Sequence, residues 1–209
     1  VVKNAKYDKK TQTVTFAPEH FSYYAAGSAA IQFGDIETVA WAKDSIEALA
    51  ARGVVQGVED NRFAPQGQVT RAAFITMLIQ ALDLQATAAG TETGFSDVKS
   101  GQWYSDAIAA AKQLGIVTGK QDGSFGVNDS ITRQDMAVIL YRALQLEKPE
   151  AGAAAFTDQG AISAYAQEAV LAVQEAGLMN GLGNGSFAPK GETTRAQAAV
   201  TIYRILNLI

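Results

Sequence analysis

Three arginines carry the clearest chemical signal in the chain. Arg71, Arg133 and Arg195 each follow a threonine and open an apolar run of helical period, in Thr70-Arg71-Ala72-Ala73, Thr132-Arg133-Gln134-Asp135 and Thr194-Arg195-Ala196-Gln197, with 62 residues from one arginine to the next. The threonine has a local reason. Its hydroxyl can cap the helix by accepting from an orphan backbone N–H. Three residues on, Asp135 and Gln197 can reach back to make a capping box, which Ala73 cannot. The arginine has no such reason, because the first helical position favours an anion over a cation. Two roles account for it. A guanidinium beside free helix N–H groups makes a receptor for a carboxylate or phosphate. Alternatively, the arginine makes a structural salt bridge to a carboxylate elsewhere in its repeat.

The elements that position these arginines repeat with them, and self-similarity at one period marks an array. The first copy opens Phe33-Gly34-Asp35. A helix follows from Trp41, carrying Ile46, Leu49 and Ala50 on one face and stopped by Gly53. A turn-rich loop with Gly57 and Phe63 leads to the helix opened by Arg71. The second copy aligns as Phe95, Asp97, Trp103, Gly115, Gly119, Phe125 and Arg133. The third aligns as Phe156, Asp158, Gly177, Gly181, Phe187 and Arg195, with Tyr165 in the Trp slot after one inserted residue. Residues 1–30 stand outside the array. Val14 and Phe16 alternate with threonines and Phe21-Ser22-Tyr23-Tyr24 is aromatic, so both are expected to be strands. Residues 8–12 form a turn and Pro18 breaks the next segment. The predicted division is a β-rich tail or linker at 1–30 and repeats at 31–90, 91–152 and 153–209. The small-residue linkers between repeats are short, so neighbouring repeats must pack side by side.

Composition excludes several classes. The chain has 209 residues, 48% of them hydrophobic and 18% charged, which is globular rather than disordered. Its net charge of −4 argues against a general nucleic-acid binder. No apolar run is long enough to span a bilayer. With no cysteine, thiol catalysis and cysteine metal sites are out; a serine triad would need His20, the one histidine, which has no nucleophile motif around it. No metal or cofactor is expected. The chain starts at Val1 without a signal peptide, as a fragment or mature piece would.

Taken together, Phe-x-Asp, the Trp or Tyr opening a helix, the Gly-x-x-x-Gly spacing, the Asp/Asn-Gly-Ser-Phe turn and the Thr-Arg helix start resemble S-layer homology (SLH) domains over residues 33–209. The family's usual Thr-Arg-Ala-Glu is altered here, with Ala73, Asp135 and Gln197 in the Glu slot. The resemblance implies a mainly α fold of three tandem helix-loop-helix repeats in a pseudo-threefold spindle, here with a short N-terminal β segment, and grooves between adjacent repeats. It implies an extracellular, cell-surface module, non-catalytic and monomeric as a fragment. Such a module anchors an exported protein to secondary cell-wall polysaccharide through pyruvylated N-acetylmannosamine.

The chemistry of the residues is compatible with that ligand. A pyruvyl ketal is a carboxylate on a sugar, which a planar guanidinium binds with two parallel hydrogen bonds. Arg71, Arg133 and Arg195 would take that role, and Asp35, Asp97 and Asp158 would accept from sugar hydroxyls. Gly57, Gly119 and Gly181 would let the backbone approach a ring, and Trp41, Trp103 and Tyr165 would lie against it. The alternatives are a core-anchor role for the tryptophans and a turn or cap role for the aspartates. Two other functions compete. A helical-repeat protein-interaction module would not require an Arg at every helix start. A glycan hydrolase needs two carboxylates with separate roles, whereas the three aspartates come as equivalent copies.

Overall fold

The computed structural model describes residues 2, 5–8, 10–16, 31–86, 92–149 and 156–208. Six α-helices dominate, two per repeat: α1 (Ala40–Ala51), α2 (Arg71–Ala81), α3 (Ser105–Gln113), α4 (Arg133–Ala143), α5 (Gln167–Glu175) and α6 (Arg195–Leu208). A short antiparallel hairpin, β1 (Lys6–Asp8) with β2 (Thr13–Thr15), lies at the N-terminal end, its turn closed by the Asp8 carboxylate accepting from the Lys10 and Thr11 amides. The expected strand at 21–24, Pro18 and His20 lie outside the described residues.

The first helix of each repeat ends on a glycine in the left-handed region, at Gly53, Gly115 and Gly177, as a C′ stop requires. The second helix starts at a threonine cap, whose hydroxyl accepts from the amide three residues on in all three copies. Only repeat three completes a capping box, Gln197 Oε1 accepting from the Thr194 amide at 3.0 Å. Asp135 is shorter by one methylene; it accepts instead from the Thr132 hydroxyl at 2.7 Å.

The two helices of a repeat are not the packing pair. α3 packs on α2 and α5 on α4, each across a repeat boundary, and α1 closes the ring against α6. The same closure occurs on the central axis. The Ile131 amide donates to the Val69 carbonyl, Thr193 to Ile131, and Val69 to Thr193, each at 3.0 Å. This cycle of three backbone bonds gives the pseudo-threefold arrangement a closed hub, and Val69, Ile131 and Thr193 are buried there.

Within each repeat the opening Phe leans on the loop Phe: Phe33 on Phe63, Phe95 on Phe125 and Phe156 on Phe187, with ring centroids 5.5, 5.7 and 5.1 Å apart. The loop phenylalanines are fully buried. Tilted aromatic pairs of this kind add to the burial of their area. They fix the long loop between the two helices of a repeat, the loop that faces the Arg of the preceding repeat.

Candidate functional site: the grooves between repeats

Each Thr-Arg arginine crosses to the next repeat in the ring. Arg71 lies over the Phe125 ring, Arg133 over Phe187 and Arg195 over Phe63, at 5.0, 4.7 and 4.6 Å from the centroids. In each case Nε donates to the carbonyl of that same phenylalanine, at 3.1, 2.6 and 2.8 Å. Planar guanidinium stacking with a directed hydrogen bond is a geometry lysine cannot copy. The structural role that the sequence left open is therefore real. It is not a salt bridge inside one repeat, however, but a clamp onto the backbone of the next.

Beyond Nε the three arginines differ. Arg133 Nη2 also donates to the Asn180 carbonyl, and Arg195 Nη2 to the Gln56 carbonyl, both at 2.8 Å. Arg71 makes no second bond of this kind among the described residues; its Nη1 lies 4.0 Å from Asp135 Oδ2. Burial pushes the Arg133 and Arg195 guanidiniums down from their ordinary value, opposed by the charges of Asp158 and Asp35.

The expected supply of free helix N–H donors is corrected by the structure. The Arg71, Arg133 and Arg195 amides donate to the Asp129, Gly191 and Gly67 carbonyls, and the next amides to Val127, Pro189 and Pro65. With the third amide capped by threonine, the first turn is engaged by the neighbouring repeat. These first-turn amides are therefore not left for a ligand in the grooves.

The three aspartates hold loops. Asp35 accepts from the Phe63 and Ala64 amides, Asp97 from Phe125, Gly126 and Val127, and Asp158 from Phe187 and Ala188, at 2.7–2.9 Å. Burial pushes each carboxyl up, and the amide bonds outweigh it, so all three are held below the ordinary aspartate value. The glycines have a packing reason of the same kind. A Cβ on Gly57, Gly119 or Gly181 would meet both a loop carbonyl oxygen and the opening phenylalanine of its own repeat within 3.0 Å, and Gly119 adds a φ of +75°.

The aromatics point outward. Trp41, Trp103 and Tyr165 are 61%, 64% and 61% exposed, which rules out the core-anchor role. Trp41 sits in the first turn of α1, whereas Trp103 precedes α3 and Tyr165 lies in a 3₁₀ turn before α5. Tyr165 is held firmly, its hydroxyl donating to Asp135 and accepting from Gln134 Nε2, both at 2.7 Å. Burial and then the Asp135 bond push its phenol up to about 12.

Among the described residues, two pockets lie where these parts meet. The smaller, about 240 Å³, lies at Arg195, with Gly57 and Trp103 in its wall; the larger, about 630 Å³, lies at Arg71, with Gly119 and Tyr165. Each residue of the smaller pocket has its counterpart 62 positions away in the larger, Arg71 answering to Arg195 around the ring. They are the same groove built twice. Each takes its arginine, its loop and its aromatic residue from three different repeats.

Sequence reasoning passed over Lys120 and Arg142, which also line the Arg71 groove. Their signal is broken symmetry: the equivalent positions hold Val58 and Leu182, and Gln80 and Arg204. It also passed over the loop phenylalanines as platforms for the arginines.

Comparison with known proteins agrees with this architecture. The S-layer homology domain model matches residues 32–75, 94–137 and 155–199. An amylopullulanase of Thermoanaerobacterium thermosulfurigenes is 43% identical over 97% of this chain, which covers 11% of that enzyme. An exoglucanase, XynX, of Acetivibrio thermocellus is 42% identical over 85% of this chain and 16% of its own length. The surface-layer 125 kDa protein of Lysinibacillus sphaericus is 31% identical over 86% of this chain and 15% of its own length. The chain thus spans less than a fifth of these relatives, and the enzymes among them share with it only that small part. Three matched repeats, set in one ring and shared with surface-layer proteins and large glycan-active enzymes alike, show that this chain belongs to the S-layer homology domain family of bacterial cell-surface proteins.

Proposed function

We propose that this triplet anchors an exported protein to the cell wall without a covalent bond, by holding an acidic secondary cell-wall polysaccharide in the grooves between repeats. The saccharide we assign is pyruvylated N-acetylmannosamine. The observation that carries this reading is the state of Arg71: clamped by Nε, it keeps its outer nitrogens clear of backbone carbonyls among the described residues, at the wall of a 630 Å³ groove faced by an exposed tyrosine. A carboxylate on a sugar ring suits a guanidinium whose outer donors are held only by a long ion pair, and a sugar face suits Tyr165. Arg195 with Trp103 makes a tighter second groove of the same plan.

The aspartates support binding rather than catalysis. Both oxygens of each carboxylate are engaged by backbone amides, so none is poised as an acid or base. We retain residues 1–30 as a segment distinct from the repeats, and 31–90, 91–152 and 153–209 as the repeat units.

The test is calorimetric titration with a pyruvylated N-acetylmannosamine monosaccharide, with the depyruvylated sugar as control. A charge-assisted hydrogen bond is worth about 1.5–3 kcal/mol, so Arg71→Ala should weaken binding in its groove by about tenfold to a hundredfold. The loss should shrink on intact polysaccharide, where the other grooves keep the chain at high effective concentration. A folded Arg71→Ala variant that binds the monosaccharide like the parent would refute the assignment.

A further inference from the structure

The Arg71 groove carries more charge than its repeat-related copy. Arg71, Lys120 and Arg142 line it, with Asp129 and Asp135; among the described residues the copy at Arg195 holds one cation and no carboxylate. Most of this charge is already paired. Lys120 is ion-paired with Asp129. Asp135 is bonded by the Thr132 and Tyr165 hydroxyls and faces Arg71. Arg142 remains: it is exposed, and its guanidinium has no hydrogen bond or ion pair among the described residues. Its counterparts offer nothing comparable. Gln80 is neutral, and Arg204 is tied through Nη1 to the Leu178 carbonyl at 3.0 Å.

Arg142 stands two helical turns beyond Asp135 on α4, about 10 Å along the axis at ~1.5 Å per residue. Asp135 marks the Arg71 end of the groove. The attachment points of the two groove cations are thus set about two turns apart along one wall, so the anion that Arg142 would take is assigned to the neighbouring sugar.

We propose that Arg142 is a specificity-determining residue. It makes the Arg71 groove select a glycan segment bearing a second anionic group, carboxylate or phosphate, on a neighbouring sugar, while the Arg195 groove takes a singly charged one. This rests on the reading of the triplet as an acidic-saccharide binder.

Three probes separate the possibilities: the singly pyruvylated monosaccharide, a disaccharide with a second pyruvyl ketal, and the same disaccharide with a phosphate in its place. Parent and Arg142→Gln are titrated with each, reading the site that Arg71→Ala removes, with melting temperature as the folding check. Arg142 is exposed, so the expected loss is about threefold to fivefold for a two-anion probe and none for the monosaccharide. It should shrink at high salt. The disaccharide that shows the loss names the anion. Gln80→Arg should confer the same preference on the Arg195 groove. Equal losses on all probes, or no loss on either disaccharide, would overturn the proposal. Failure of the parent to bind any probe would overturn the acidic-saccharide reading itself and this inference with it.

Discussion

Truncating the three Thr-Arg arginines should separate stability from binding. Arg133→Ala removes two hydrogen bonds to carbonyls, at 2.6 and 2.8 Å, and a stacked ring contact, from a site where the arginine is 8% exposed. With about 1.5–3 kcal/mol per charge-assisted bond, about 0.5–2 for the ring contact, and overlap between them, the loss should be about 3–5 kcal/mol. That is a large part of a typical domain stability of about 5–15 kcal/mol. Arg195→Ala removes the same set, but its Nη2 bond is exposed, so the loss should be nearer 3 kcal/mol. Arg71→Ala removes one bond, the ring contact and a long ion pair with Asp135, about 2 kcal/mol. Equilibrium urea unfolding is the assay, with the slope m checked for constancy so that midpoints report stability. The order of destabilisation should be Arg133, Arg195, Arg71, and for monosaccharide binding in the larger groove Arg71 should come first. Equal destabilisation by all three, or the largest by Arg71, would show that the inter-repeat clamp is not what distinguishes them.

Asp35, Asp97 and Asp158 have folded-state values below the unfolded 3.8. Their contribution is fully present above that pH and lost as the pH falls through the folded values. Melting temperature should therefore hold down to about pH 4 and drop below it, with a shallower drop in Asp97→Asn; an identical drop would contradict the assignment. At the hub, Thr193 Oγ1 is buried without a hydrogen-bond partner among the described residues, where the other repeats place Val69 and Ile131. Thr193→Val should stabilise by about 1 kcal/mol, or roughly 2–4 °C in melting temperature, and a fall on scanning calorimetry would refute this account of the hub.

What the sequence determined by itself is local and periodic. The 62-residue recurrence, the threonine caps, the glycine stops after α1, α3 and α5, and the apolar faces of α1 and of the three Thr-Arg helices were all legible, because each depends on neighbours along the chain. The family was legible for the same reason, in motifs recurring together. The partners of the key side chains were not. Phe-x-Asp carries no sign that its carboxylate closes on amides 28 and 29 residues on, or that its ring crowds Gly57, Gly119 and Gly181. A helix start by itself has free amides; only the ring of three repeats places the next loop's carbonyls on them. The difference between Arg71 and its two copies was likewise absent from the motif, since all three read Thr-Arg. It arises because each arginine reaches a different loop in a different repeat, over 54 residues forward for Arg71 and Arg133 and back across 132 for Arg195. Tertiary closure decides which donors are consumed by the protein and which are left for a ligand.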